Sequence, residues 1–541
     1  MKQGKVMLLD CTLRDGGRII DCNFKDDIIS GMIKDFVNAG IDIVEVGFLR
    51  GKELVNYKGN STFFTENKQI EKFLPLKREN TIFTAFIDYG MYDFSLLQDC
   101  YDASVSGIRI GFTHKNYIND KEEIKNTLKL IKDKGYKLFV QNVNTPGYSD
   151  RELLDVVEMI NEIHPYSYGI VDTYGSMYLE DMMHYYELVD YNLRYDCSID
   201  IHSHNNLQSS FAFAQQIISM SLGKRNIILD STLNGMGKCA GNLNTELIAD
   251  YLTRKKGFDY DVDLILDMID RYIVNYVGTE DWGYSIPAFM AGIYRAHPNN
   301  VIYLTQKYRL NNKDIKYILS AIDEDTRQRY DYDNIQNIYS KYNDNQIDDS
   351  TNVAGLKEVF QGKSVLILAP GSSVTENKEE ILRYIYNYKP IVVGINYLYG
   401  DISTDYYFFA NTIHWDRWEY KLPHEKCITT SNIKTNVGYT NRVNYSSYLA
   451  EGSFLSDNSM IMCLNLMKKL GVSDITMAGF DGLRSNQNNY VDEVFPDRQG
   501  EHSFSEINDE IKRIYAIFQK KVEGKISLSF LTESLYDTGR E

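Results

Sequence analysis

Between residues 6 and 255, short β-branched or apolar runs alternate with amphipathic helical stretches, and this alternation limits the fold more than any other feature of the chain. The strand-like runs are Val6–Cys11, Ile43–Gly47, Ile82–Ile87, Gly107–Phe112, Lys137–Asn142, Ser167–Asp172, Ser198–His202 and Asn226–Asp230. A recurrence of roughly 30 residues is the spacing of repeated βα units. The intervening helices carry their own punctuation. Ile28, Ile29, Met32, Ile33, Phe36 and Val37 share one helical face that stops at Gly40, a residue suited to a helix C-terminus. Ser149 with Glu152 makes a capping box that opens a helix running through Ile160. Asn119 and Gly135 bracket another helix. The fold class is α/β. Eight βα units close most simply into a (β/α)8 TIM barrel over residues 1–258, with a doubly wound open sheet as the alternative until the strand ends are read.

Residues 259–342 read as a helical extension without a strand signal, and the polar, aperiodic stretch YNDNQIDDSTN makes 343–352 a linker. Beyond it, Ser364–Leu368, Ile391–Ile395, Tyr406–Phe409, Cys427–Thr430 and Ile475–Ala478 predict the strands of a second, Rossmann-like α/β domain over 353–541.

Charge and cysteine usage narrow the partners. The formal net charge of −17 repels phosphate backbones, so nucleic acid is not expected as a partner. No apolar run approaches the length of a membrane span, and the opening MKQGKVMLLDCTLRDGG has no signal-like apolar core. The cysteines, at 11, 22, 100, 197, 239, 427 and 463, are scattered without a CxxC. That pattern fits reduced thiols, and a cytoplasmic location is expected.

Three strand ends carry the chemistry. The first barrel strand runs into Thr12-Leu13-Arg14-Asp15-Gly16-Gly17, and the seventh into His202-Ser203-His204-Asn205-Asn206. The loop after the eighth spans Asn234 to Asn242. Residues i and i+2 of a strand point to one side, so His202 and His204 project together. In a closed barrel the ends of strands one, seven and eight are neighbours, which brings Asp15 to face both imidazoles. Two imidazoles and one carboxylate leave open positions on a divalent ion, as a catalytic site requires. An HxH pair alone, or TLRDGG alone as a capped turn, is compatible with a structural role; their meeting at one rim is what makes the signal specific.

The stretches LLDCTLRDGG, AGIDIVEVGF, GIVDTYGSMY, DIHSHNN and NGMGKCAGN resemble those of the DRE-TIM metallolyase superfamily, which includes 4-hydroxy-2-oxovalerate aldolase, HMG-CoA lyase and the isopropylmalate and citramalate synthases; the likeness covers residues 6–300. The resemblance implies that Asp15, His202 and His204 bind one Mn²⁺ or Mg²⁺, with Asn242 at or near the metal. It implies that Arg14 stabilises an enolate oxygen, and that a C–C bond is made or broken beside the carbonyl of a 2-oxo acid or acyl-CoA. Strand six offers no lysine for a Schiff base.

The aldolase branch carries a histidine, thought to be the base, three residues after the motif aspartate. Here Arg18 stands there, leaving His114 and Tyr284 as candidates for the base. Arg18 is expected either to bind a phosphate or carboxylate of a larger substrate or to lie on the surface. Glu45 and the Asp172-Thr173 pair face the rim by strand parity, to orient substrate or to satisfy buried hydrogen bonds; Arg109 is counted with the substrate-binding residues.

In the second domain the strand Ser364–Leu368 runs into Ala369-Pro-Gly-Ser-Ser373, a turn with the makings of a phosphate nest or of a plain connection. With Asn396, Asn411, Ser431-Asn432 and Ser456–Ser459 at later strand and helix ends, the succession resembles bacterial sialyltransferases and pterin-diphosphokinase-like (motility accessory factor) domains. That resemblance implies a nucleotide or nucleotide-sugar held by Gly371, Ser372, Ser373, Asn396, Asn411 and Ser459, with His502 as a base. The expectation for the whole is a metal-dependent aldolase working on a 2-oxo acid and a sugar or aldehyde, in surface-polysaccharide biosynthesis, as a homodimer by family analogy. A Claisen-type acyl-CoA enzyme, and a glycosyltransferase whose second domain carries the activity, are the alternatives.

Overall fold

The computed structural model describes residues 5–55, 58–75, 81–102, 105–277, 282–308, 312–329, 332–433, 440–450, 452–485, 488–491 and 503–537. The chain divides into two compact units: Met1–Val301 with Asp323–Tyr330, and Ile302–Ile322 with Asp331–Glu541. The stretch read from sequence as one helical extension is therefore shared between them.

The first unit is built on nine parallel strands: β1 Val6–Asp10, β2 Ile43–Leu49, β3 Phe63–Phe64, β4 Ile82–Asp88, β5 Gly107–Thr113, β6 Lys137–Val143, β7 Ser167–Asp172, β8 Ser198–Ser203 and β9 Ile227–Ser231. The order is β1-β9-β8-β7-β6-β5-β4-β2, and β2 pairs back to β1. That closes eight strands into a TIM barrel and excludes the open sheet; β3 is a two-residue addition on Phe48–Leu49. Closure places the C-terminal ends of β1, β8 and β9 side by side.

Strand alternation sorts the side chains into layers. Val6, Leu8, Val44 and Val46 point outward into the core shared with the helices, where Ile29, Met32, Ile33 and Phe36 of the helix Asp26–Asn38 meet them. Met7, Leu9, Ile43, Phe139 and Ile228 point inward and form an apolar floor to the barrel. Above that floor the interior changes character: Glu45, Arg109, Gln141, Asp200 and Asp230 are all buried.

One irregularity in β2 shapes the rim. Glu45 pairs with Thr84, but Phe48 pairs with Phe86, so three residues on β2 span two on β4. This bulge turns Phe48 to the same side as Glu45. It depends on Gly47, whose φ is +147° and whose added Cβ would lie 2.2 Å from the Thr62 carbonyl oxygen. Backbone cannot yield as a flexible side chain can, so Gly47→Ala is expected to lower stability by about 2–3 kcal/mol in denaturant unfolding. A loss below about 0.5 kcal/mol would mean that the bulge accommodates a side chain.

The helix expected from Asn119 starts at His114 instead and runs to Asp133, with a kink at Asp120. Thr113 and Asn116 form a reciprocal capping box that wins over Asn119 as the start. The Ser149–Glu152 box opens Asp150–Ile163 as the sequence indicates.

The second unit has one parallel sheet of seven strands: β10 Ser364–Leu368, β11 Ile391–Ile395, β12 Tyr406–Phe409, β13 Cys427–Thr430, β14 Asn441–Val443, β15 Asp474–Ala478 and β16 Ser527–Phe530. Their order is β14-β13-β12-β11-β10-β15-β16, which reverses direction beside β10 as in doubly wound folds. The helix Ser459–Leu470, buried along most of its length, packs on the sheet with Phe504–Val522. The stretch read as a linker is pinned to this unit: Asn345 donates to the Ser431 carbonyl, Ile347 and Asp349 bond Asn444, and a helix begins at Ser350. Among the described residues no helix is long and apolar enough to cross a membrane, and all seven cysteines are free thiols.

Candidate active site

The turn after β1 delivers Asp15 to the rim. The amides of Arg14 and Asp15 return to the Cys11 carbonyl, and Thr12 Oγ1 accepts the Leu233 amide, tying this turn to the one after β9. The loop from Asn234 doubles back so that Asn242 sits opposite His204. Asp15, His202 and His204 offer ligand atoms within 4.8 Å of one another. Asp15 Oδ2 lies 3.2 Å from His204 Nε2, 3.9 Å from His202 Nε2 and 3.1 Å from Asn242 Nδ2.

The far side of each imidazole is held. His202 Nδ1 is 2.9 Å from Asp230 Oδ2, and His204 Nδ1 is 3.1 Å from the Asp172 carbonyl oxygen. A proton on each Nδ1 leaves both Nε2 lone pairs pointing toward Asp15, the arrangement in which carboxylate and carbonyl partners fix metal-binding histidines. Burial pushes His202 down against the pull of Asp230, keeping it in the neutral, ligating form. His204 moves up: burial opposes protonation, and the Asp15 carboxylate outweighs it. At Asp15 burial is outweighed by Arg14 and the two imidazoles, which hold its carboxyl well below the usual range. Asn242 Oδ1 is buried without a hydrogen-bond partner. An ionised carboxylate, two oriented imidazoles and an orphaned amide oxygen fit a divalent cation.

Beneath the trio runs a closed circuit of charge. Arg14 Nη1 is 2.5 Å from Asp15 Oδ1, and its Nε is 2.5 Å from Glu45 Oε2. Arg109 Nη1 lies 3.2 Å from the same Glu45 oxygen, and Arg109 Nη2 is 2.5 Å from Asp230 Oδ2, which holds His202. Burial and the neighbouring Asp230 push Asp200 well above the usual carboxyl range. Asp230 itself, despite burial, is held low by Arg109 and His202. Gln141 donates to Asp200 at 2.7 Å.

The expected residues fall into distinct places. Arg14, Asp15, His202, His204 and Asn242 come together as one cluster, and Arg18 joins it, its Nε 3.3 Å from Asp15 Oδ1. Arg109 and Glu45 do not reach the rim. Both are fully buried and bound into the circuit; for Glu45 this is the second of its two expected roles, satisfying buried hydrogen bonds, and for Arg109 it differs from the substrate contact expected of it. Asp172 is also buried, accepting from the Ser176 and Met177 amides; Thr173 Oγ1 accepts the Asn144 amide. His114 is turned to Glu152 at 3.1 Å and packs edge-on against Tyr148. Tyr284 is 58% exposed, while Trp282 of the same segment donates to the Asn234 carbonyl of the rim loop.

Several rim groups are not among the expected site residues: Arg50, Asp88 and Phe86, which lie in no motif, Phe48 and Lys238, which lie inside motif stretches, and His297. Arg50 pairs with Asp88, and Arg18 Nη2 is 3.8 Å from the same carboxylate. Burial, then the charges of Lys238 and Arg18, lower His297 to about 4, so it is neutral at pH 7. Its Nδ1 accepts the Asn299 amide. For the buried circuit the available signal is parity: Asp200 and Asp230 are charged residues at inward positions of otherwise apolar strands.

In the second unit the Gly371 amide donates to the Gly479 carbonyl, Ser372 to that of Asn489, and Ser373 to Asp481 Oδ2. The turn after β10 therefore has these N–H groups engaged by the protein, as expected of a plain connection rather than of an open phosphate nest. Asn411 caps its own helix through Ile413. Asn396, at φ +56°, donates to Ser459 Oγ, and its Oδ1 is buried without a partner. His502 lies outside the described residues.

Residues 104–270 match the HMGL-like family model. The chain is 24% identical over 277 residues to a 4-hydroxy-2-oxovalerate aldolase of Geobacillus genomosp. 3, covering 51% of this chain and 78% of that one. It is 23% identical over 278 residues to a 2-isopropylmalate synthase of Sulfolobus acidocaldarius, covering 51% and 69%. It is 24% identical over 283 residues to an oxaloacetate decarboxylase of Mycobacterium tuberculosis, covering 51% and 80%.

Proposed function

We propose that this chain, a member of the DRE-TIM metallolyase superfamily through its barrel unit, is an aldolase that makes or breaks a C–C bond next to the carbonyl of a pyruvate-like 2-oxo acid. The observation that carries the reading is the convergence of Asp15, His202 and His204, with both Nδ1 atoms tied back so that both Nε2 atoms face one carboxylate. These three side chains, with Asn242, would hold Mn²⁺ or Mg²⁺. When bound, the cation supplies Lewis-acid polarisation of the 2-oxo acid's carbonyl.

The chain's own residues account for the rest. Arg14, fixed by Asp15 and Glu45, keeps its guanidinium at the rim, where it offsets negative charge gathering on the substrate's oxygen as the adjacent carbon loses its proton or its C–C bond. Fixed from two sides, that charge needs no rearrangement during the reaction. Asp230 keeps the His202 proton on Nδ1, and the Asp172 carbonyl does the same for His204. The relatives include an aldolase, a decarboxylase and a synthase. We favour the aldolase reading, with the Claisen-type acyl-CoA reading as the alternative.

Incubation with Mn²⁺ and pyruvate in D₂O is the test, followed by the loss of the methyl proton signal. Wild-type chain should exchange the methyl protons, and the His202→Ala, His204→Ala double variant should be slower by more than about a thousandfold. Metal-loaded wild type that leaves the methyl signal intact would overturn pyruvate as the donor.

For the second unit we infer a polar ligand at Asn396 and Ser459, where a buried amide oxygen lacks a partner. A sugar or nucleotide-sugar there, in a polysaccharide context, is the reading we attach to it. Saturation-transfer NMR with CMP and with free sugars tests it, and a signal unchanged in Asn396→Ala would count against the assignment.

A further inference from the structure

Three adjacent strand ends of the barrel present charge that the proposed chemistry does not use. Arg18 follows β1, Arg50 follows β2, and Asp88 ends β4; β1 pairs with β2 and β2 with β4. Both guanidinium groups lie over the ring of Phe48, Arg18 at 4.7 Å and Arg50 at 4.8 Å from its centroid. Both address the carboxylate of Asp88, Arg50 closely and Arg18 at 3.8 Å. Phe48 stacks on Phe63 and meets Phe86 edge-on, and Arg14 lies 4.6 Å over Phe86.

Two cations share one carboxylate on an aromatic platform, and Arg18 also touches Asp15. The platform exists because the bulge at Gly47 turns Phe48 inward, so it is built rather than incidental. The Arg18 and Asp88 side chains keep 34% and 30% of their exposure and Arg50 only 14%. The carboxylates within reach of the pair are Asp88 and, for Arg18, Asp15; with Asp15 given to the cation, two guanidinium groups face one carboxylate, and the partly buried positive charge left over is balanced by an anionic ligand. Lys238, lowered by burial and by Arg18, adds to the same positive field. Planar guanidinium groups held by stacking are suited to paired hydrogen bonds with an oxyanion.

We propose that Arg18 and Arg50, laid over Phe48 and sharing Asp88, bind an oxyanion, a phosphate or a carboxylate, at the end of the acceptor remote from its reacting carbonyl. The substrate is then an acidic aldehyde rather than a neutral one. The donor's own carboxylate is adjacent to the carbonyl at Asp15 and Arg14. It is thus placed at the end of β1, whereas Arg50 lies one strand further along the rim and is linked to Asp15 through Asp88 and Arg18. This assignment rests on the aldolase reading for its chemistry, but the anion site itself does not.

The full chain with Mn²⁺ and pyruvate is offered glyceraldehyde 3-phosphate, succinic semialdehyde and uncharged butyraldehyde, and pyruvate consumption is followed. At least one anionic aldehyde should exceed butyraldehyde in kcat/KM by about 30-fold, the scale of a charge-assisted hydrogen bond. Arg50→Gln should collapse that ratio to below about 3 through KM, with Arg50→Lys recovering part of it because charge returns without the fork. Whichever anion is preferred identifies the group; no preference in the wild type overturns the proposal. Should no aldehyde react, the aldolase reading fails separately, and calorimetry decides the anion site. Glycerol 3-phosphate or succinate must bind the Mn²⁺-loaded chain at least about tenfold more tightly than glycerol, and Arg50→Gln must abolish the difference. Equal binding overturns the site.

Discussion

Asp15→Asn is expected to weaken Mn²⁺ binding by about a thousandfold, against the 10–100-fold expected for Asp230→Asn, one shell further out. The two substitutions are the same chemistry at different distances. An amide at position 15 would keep the shape but remove the sole carboxylate of the trio, leaving neutral donors for a hard cation that prefers anionic oxygen. It would also leave Arg14 and Arg18, which now share the Asp15 carboxylate, facing the cation with no anion between. At position 230 the amide oxygen of the variant still accepts the His202 Nδ1 proton, so the imidazole keeps its aim and loses only basicity. Mn²⁺ titration followed by electron paramagnetic resonance reads both affinities, with circular dichroism confirming that both variants fold. Equal losses in the two would mean that Asp15 is not a ligand.

The same contrast explains what is legible in the sequence. Asp15, His202 and His204 stand in short motifs directly after strands, so strand parity and barrel closure place them without knowledge of any side-chain contact. Arg50 and Asp88 carry no motif: each is a single charged residue at a strand end, and their pairing depends on the β2 bulge, which a regular alternation does not anticipate. Parity turns Glu45 toward the barrel interior, but depth along the strand decides between rim and interior, and Glu45 and Arg109 both sit a layer below Asp15, His202 and His204. In the second unit the strands without a sequence signal are Asn441–Val443, three residues long, and Ser527–Phe530, an edge strand with exposed serines. Neither is apolar enough to stand out. The Pro370–Ser373 turn has the composition of an anion nest, yet Asp481, 108 residues beyond Ser373, supplies the carboxylate that occupies the Ser373 amide.

Arg109→Leu should be the most destabilising single change in the barrel, costing about 3–5 kcal/mol, because it removes one member of a buried charge circuit and strands the others. Arg109 is fully buried and contacts Glu45, Asp200 and Asp230. Leucine fills part of the volume but leaves Asp230 with His202 alone and Glu45 with Arg14 alone. The Asp230 carboxyl, held low by Arg109 and His202 against burial, should then titrate at higher pH in the folded variant than in the unfolded chain. Between those two values the folded state binds more protons, so stability falls as pH rises. The variant should therefore recover stability at pH 5 relative to pH 8, measured by denaturant unfolding, by more than any recovery the wild type shows over the same interval. Asp200, already raised by burial and by Asp230, tempers the effect, since as a neutral acid it needs no cation. A deficit equal at both pH values would mean that lost packing, rather than uncompensated charge, is what Arg109 supplies.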